Sequence, residues 1–288
     1  MPTKLAVLLF LLASTSTIKA SPVQLMHQGL RLNGELYAEN KDSDTIFLLV
    51  HGTWGHGKME IISGMQSRLG ELGENSLALT LSLGLDNRHG FLGCSESIVA
   101  RHDAAIEEIR QWIELLNDKW TNIIIVGHSR GGNQVALYNQ TDVDPFVKKL
   151  VLIAPMTWSK TQAELQYKSR FGHDLPALIA QARTYPLDSF FQAGLINCDD
   201  NEVSAGSFLS YYSANPNKNT SQLLENIERP TLLFLGSEDE LSKKYIDQKQ
   251  GYLTSELVSE ITIDGAGHFF LDLYLDELVE SMLEWVKE

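Results

Sequence analysis

The sequence predicts an α/β fold: a mostly parallel central sheet with helices on both faces, plus a helical cap inserted late in the chain. Three observations carry this. Short apolar runs alternate with helical spacings of apolar residues along most of the chain. Thr45–Val50 (TIFLLV) and residues 150–154 (LVLIA) have no polar face, as expected of strands buried on both sides. The alternation lapses at Pro155 and resumes at residues 231–235 (TLLFL), which marks residues 156–229 as an insert. A chain of 288 residues has room for one large domain carrying such a cap.

The first twenty residues stand apart. Lys4 is followed by eight apolar residues, 5–12 (LAVLLFLL), and then by a polar stretch ending in Ala20. This is the order of a secretory signal peptide, with cleavage expected after Ala20 and an exported, periplasmic or secreted product. An uncleaved amphiphilic leader is the alternative. The apolar run is too short to span a bilayer, and no later run reaches 18 apolar residues, so stable membrane insertion is not expected.

From residue 21 the domain begins. Residues 29–37 alternate around Asn33-Gly34 and predict an edge hairpin turning there. After Thr45–Val50, residues 58–72 place Met59, Ile62, Met65, Leu69 and Leu72 at helical spacing. Residues 77–81 predict a strand, and 96–116 a long amphipathic helix with Ile98, Ala105, Ile109, Trp112 and Leu116 on one side. Residues 122–126 predict a buried strand and 133–139 a helix. The insert offers helical pieces at 162–167, 177–183 and 206–212, many aromatic residues, and no convincing strand. Strands are expected again at 231–235 and 257–263, a helix-compatible segment at 242–252, and a closing helix at 272–287.

The segment joining the strand at 122–126 to the helix behind it reads Gly-His-Ser-Arg-Gly-Gly. Gly-x-Ser-x-Gly between a buried strand and a helix is the pattern of a nucleophile elbow, with Ser129 at the apex of a turn too tight for side chains at Gly127 and Gly131. A serine hydroxyl needs a base. His268, in Asp-Gly-Ala-Gly-His-Phe after the last strand, is placed to supply it. The base needs an orienting carboxylate. Asp239, in Gly-Ser-Glu-Asp-Glu, is preferred over Glu238 and Glu240 because a short carboxylate just past a turn glycine can point back into the site. The oxyanion calls for backbone donors, expected from Arg130 and from the His51-Gly52-Thr53-Trp54-Gly55 loop, Thr53 first and Trp54 as the alternative. His51 reads as support for that loop and His128 as packing beneath the elbow. Candidates for substrate contact are Trp54, the loop Asn87-Arg88-His89, and Trp158 in the insert. An ordinary loop role is the alternative for Asn87, Arg88 and His89.

Other chemistries fit poorly. His51 and His56 are five apart and His89 and His102 lie in loops, but no HExxH or paired-Cys arrangement is present, so no metal is expected. No phosphate-binding Gly-rich loop ending in Lys-Ser/Thr is present, and no cofactor is expected. The formal net charge is −14, and loss of Lys4 and Lys19 with the leader makes it −16. Such a surface repels nucleic acid. Cys94 and Cys198 permit one disulfide in an exported protein, with two free thiols as the alternative.

HGTWG, GHSRGG, GSEDE and DGAGHFF, in this order, resemble the α/β-hydrolase superfamily, and the likeness runs from about Leu25 to the end, the insert excepted. More narrowly the chain resembles exported bacterial α/β-hydrolases of unassigned function that share an Asn-Arg-His loop. The resemblance implies the fold, the triad positions and a serine-hydrolase mechanism, and it supplies no substrate. The expectation is hydrolysis of a small carboxylic ester through an acyl-enzyme. Thioester or amide hydrolysis, acyl transfer, or a non-catalytic binding role on the same scaffold are the alternatives.

Overall fold

The computed structural model describes residues 20–141, 144–241 and 255–288. The expected leader, apart from Ala20, and the helix-compatible stretch at 242–252 lie outside these. Among the described residues, eight strands form one sheet in the order β1-β2-β4-β3-β5-β6-β9-β10. Here β1 is Ser21–His27, β2 Leu30–Tyr37, β3 Thr45–Val50, β4 Asn75–Thr80, β5 Asn122–His128, β6 Val147–Ile153, β9 Thr231–Gly236 and β10 Val258–Ile263. The strands from β4 to β10 run parallel, and β1 and β2 add an antiparallel edge.

The period-two alternation of β3 divides the core. Ile46, Leu48 and Val50 pack with α2 (Ala105–Asn117) and α3 (Arg130–Thr141), while Phe47 and Leu49 pack with α1 (Glu60–Glu71) and α8 (Leu273–Lys287). Both faces are therefore apolar and both are covered, which is why the central strands read as unbroken apolar runs. Each fully buried Leu, Ile or Phe contributes on the order of 1.5–3 kcal/mol.

Three expectations are corrected. The edge hairpin turns at Gln28-Gly29, both at positive φ (48° and 82°), and not at Asn33-Gly34. Asn33 and Gly34 lie within β2, and Gly34 clears the Trp112 ring, whose Cη2 would come within 3.0 Å of a Cβ there. The glycine thus serves a close approach, which a sequence pattern does not distinguish from a turn. The helix expected from 96 begins only at Ala105, because Ile98 makes a strand-like bridge instead: its N–H donates to Glu202 O (2.8 Å) and its carbonyl accepts from Ser204 N (2.9 Å). Finally, the insert is not wholly helical. Besides α4 (Lys160–Phe171), α5 (Leu175–Ala182), α6 (Ala205–Tyr212) and α7 (Thr220–Leu224) it contains an antiparallel pair, β7 (Phe190–Leu195) and β8 (Cys198–Ser204). The polar CDDNE of β8 hid it, since one face of this small sheet meets solvent. Cys94 and Cys198 are joined as a disulfide, which fastens the loop after β4 to this hairpin.

Candidate active site

Ser129 sits between β5 and α3 with φ at +55°, a conformation a non-glycine residue adopts only when its surroundings hold it there. They do. Its N–H donates to Ile153 O (2.9 Å), and its carbonyl accepts from Gly132 N (3.0 Å) and Met156 N (2.8 Å). A Cβ on Gly127 would lie 2.5 Å from Gly131 O, and one on Gly131 would lie 2.5 Å from His51 O. The glycines therefore let strand, helix and the neighbouring loop close around the serine.

The other two side chains arrive from the carboxyl ends of neighbouring strands, where loops of a parallel sheet converge. Asp239 follows β9 and His268 follows β10. His268 Nε2 is 3.0 Å from Ser129 Oγ, and His268 Nδ1 is 3.1 Å from Asp239 Oδ2. Asp239 is almost wholly buried (side chain 3% exposed) and its Oδ1 accepts from Leu241 N (2.9 Å), while His268 remains 20% exposed. Glu238 and Glu240 point to solvent. With Nδ1–H donated to the carboxylate, Nε2 of the imidazole is left to accept the serine proton.

Three further histidines form the frame; their partners fix His51 and His102 as neutral, and burial disfavours the charged form of His128, whose Nδ1 has no hydrogen-bond partner among the described residues. His51 donates from Nδ1 to Gly52 O (2.8 Å) and accepts at Nε2 from Leu81 N (3.0 Å). His128 donates from Nε2 to the backbone carbonyl of His268 (2.9 Å), steadying the loop that carries the imidazole. His102 sits between Asn133 Oδ1 (2.7 Å from Nε2) and Arg130 Nη1 (3.2 Å from Nδ1). Burial above all pushes each of the three down to about 3; the nearby positive charge of Arg88 for His51 and of Arg130 for His102, and the neighbouring His268 imidazole for His128, add to it.

The His51–Gly55 loop abuts the serine: a Cβ on Gly52 would lie 3.2 Å from Ser129 Cβ. Thr53 Oγ1 accepts from Arg130 Nε (3.0 Å), so the two residues expected to supply oxyanion donors are also tied through their side chains. Trp54 has φ +52° and is buried, its indole donating to Tyr211 OH (2.9 Å); it packs the cap onto the domain and is not on the cavity wall.

Beside the serine a cavity of about 670 Å³ opens under the cap, walled by Arg130, Met156, Trp158, Tyr167, Phe171, Tyr211 and Tyr212 among others. Ser129, Asp239 and His268 lie just outside its wall, but Arg130, Met156 and Leu241, each one or two residues away or bonded to them, form part of it. Trp158 is thus where a substrate contact was expected. Asn87, Arg88 and His89 are not on this wall. Arg88 is buried and bonded to Leu81 O (2.7 Å), Gly55 O (2.7 Å) and Gly90 O, so it clamps the loops around His51. Asn87 accepts from Gln24 (3.1 Å) at the edge hairpin, and His89 is exposed. A buried guanidinium saturated by carbonyls and a ligand-binding one are identical in sequence. The same ambiguity hid the Arg130 side chain, His102 and Lys218, which the sequence singled out only as a backbone donor, an unpaired loop histidine and nothing.

A sequence profile described as the alpha/beta hydrolase family matches residues 47–281. The chain belongs to that family. No functionally curated protein matches the chain significantly. Among solved structures it is similar to Est1E from Butyrivibrio proteoclasticus with ferulic acid bound (18% identity, TM-score 0.65, covering 92% of this chain and 100% of that one). It is also similar to the thioesterase domain from the curacin biosynthetic pathway (17%, 0.60, covering 92% and 99%) and to the monoacylglycerol lipase of Paleococcus ferrophilus (18%, 0.59, covering 88% and 97%). At these identities the likeness is one of fold, and this alpha/beta hydrolase matches them over nearly their whole lengths.

Proposed function

We propose that the protein is an exported serine hydrolase that cleaves carboxylic esters through an acyl-enzyme. One observation carries the reading: the unbroken line from Asp239 through His268 to Ser129, with steps of 3.1 and 3.0 Å. Ser129 Oγ attacks the ester carbonyl as His268 Nε2 takes its proton. Asp239 holds the tautomer and stabilises the imidazolium. The backbone N–H of Arg130 and that of Thr53 (or Trp54) receive the oxyanion. The imidazolium then protonates the leaving alcohol. Water, deprotonated by the same imidazole, releases the acid and restores the serine.

Solved structures of the same fold bear the names esterase, thioesterase and lipase, which supports an acyl substrate and leaves the leaving atom open. Export rests on the leader sequence and agrees with the Cys94–Cys198 disulfide. The test is fluorophosphonate labelling of the mature chain, mapped by peptide mass, followed by a matched panel of p-nitrophenyl esters, thioesters and anilides. Labelling at Ser129 with an ester burst is expected, both absent in Ser129→Ala. An unlabelled Ser129 together with no turnover of any acyl compound removes the proposal. Sequencing the N-terminus of chain recovered outside the cytoplasm tests the leader, with Ser21 expected first.

A further inference from the structure

The wall of the cavity beside Ser129 carries two arginines, Arg130 and Arg170, and no Asp or Glu among the described residues. This in a chain with 37 acidic and 23 basic residues. Arg170 sits at the exposed rim and pairs with Asp199 (3.3 Å). Arg130 is different. Its Nε donates to Thr53 Oγ1 (3.0 Å), its Nη1 to His102 Nδ1 (3.2 Å), and its face lies 4.7 Å from the centre of the Tyr211 ring. A guanidinium has five N–H groups, so donors remain beyond these two, and Arg130 is part of the cavity wall. No carboxylate among the described residues pairs with it.

Two buried arginines show how this fold otherwise satisfies such a group. Arg88 is capped by three carbonyl oxygens, and Arg229 by Val147 O, Asp144 O and Asn139 Oδ1. Among the described residues, Arg130 is gripped by a hydroxyl, an imidazole held neutral and a ring face. These orient the fork without neutralising it. A partly buried, oriented cation with no carboxylate partner among the described residues is a site for an anion.

We propose that Arg130 is a carboxylate-binding, specificity-determining residue, so that the substrate is an ester bearing a second, ionised carboxylate seated in the cavity under the cap. This rests on the serine-hydrolase reading above and names its substrate class. The fork receives the carboxylate in a planar, two-point contact while the aromatic rings cover the intervening carbons.

The test compares p-nitrophenyl monoesters of adipic, pimelic and suberic acids with the same compounds capped as methyl esters, and 4-acetoxybenzoate with its methyl ester. The first series puts the anion on the acyl half, the second on the alcohol half. Wild type is expected to favour the ionised member of one series by at least about 10-fold in kcat/KM, chiefly through KM. Arg130→Met should lower kcat/KM for that member by about 30-fold or more and for its capped partner far less, with Arg130→Lys in between. Equal or better turnover of the capped esters by wild type overturns the inference and leaves the hydrolase reading intact. So does an equal loss on both members in Arg130→Met, or loss of the preference in Arg170→Gln instead. If no ester is turned over and Ser129 stays unlabelled, the hydrolase reading fails, and tryptophan fluorescence titrated with adipate decides the subsite separately. Saturation lost in Arg130→Met supports it, and no saturation overturns it.

Discussion

Three buried histidines, held neutral chiefly by their burial, should make this protein labile to mild acid. His51, His102 and His128 are pushed down to about 3, against an ordinary value of 6.5 in the unfolded chain. Between those values the unfolded chain binds a proton at each site and the folded chain does not, so stability falls as pH falls through 6.5 toward 3 and is fully present above 6.5. Each histidine costs about 2 kcal/mol at pH 5 relative to pH 7.5, and the three together about 6 kcal/mol, comparable to the whole stability of many domains. Glu108, whose carboxyl is raised by burial, works in the opposite direction and offsets part of this. A difference measurement isolates one site. His128→Gln keeps a donor for the His268 carbonyl and removes the titration. In urea unfolding at fixed ionic strength, wild type should lose about 1.2 kcal/mol more than His128→Gln between pH 6 and pH 5. A difference under about 0.4 kcal/mol, with equal m-values, would refute the assignment of a neutral His128.

Other outcomes follow from the same geometry. Asp239→Asn should cut kcat by about 10³–10⁴-fold with the fold intact by circular dichroism, because the amide favours the wrong imidazole tautomer. Gly131→Ala drives a Cβ to 2.5 Å from His51 O and should cost about 3 kcal/mol in urea unfolding, with loss of Ser129 labelling. The paired variant Cys94→Ser/Cys198→Ser opens a loop of sequence separation 104 and should lower stability by about 2–5 kcal/mol, an effect reproduced by dithiothreitol on wild type and absent when the variant is so treated. Lys218, pushed down to about 7 chiefly by burial and then by Arg130, is charged in the unfolded chain and neutral in the folded one between pH 7 and 10.5, so stability should rise with pH there. Lys218→Met should flatten that rise by about 1.4 kcal/mol per pH unit across pH 7.5–9.5 in urea titrations.

Several features were legible before any coordinates because they depend on short-range rules. Thr45–Val50 could be read as a doubly buried strand from its own six residues. The elbow could be read because a turn that tight tolerates little but glycine at Gly127 and Gly131. His268 could be placed because a glycine-rich loop after the last strand has few other uses for an imidazole. The limits are equally specific. Gly34 had the signature of a turn and serves a tryptophan ring. Residues 198–204 had no strand signature because half of that strand faces water. The sequence offers Arg88 as a candidate substrate contact and Arg130 as a backbone donor alone, and the place of each guanidinium emerges only with its partners.

The chain's own order of residues thus determined the parallel sheet, the position of the serine, and the succession Ser129, Asp239, His268, since periodicity and glycine sterics act over a few residues. Only the folded arrangement decided which of Glu238, Asp239 and Glu240 reaches the imidazole, that Arg88 is walled in by carbonyls, and that Arg130 lies on the cavity wall with no carboxylate partner among the described residues. Those outcomes turn on distances between groups far apart in the chain. Desolvation and electrostatic pairing depend on such distances, and no local pattern encodes them.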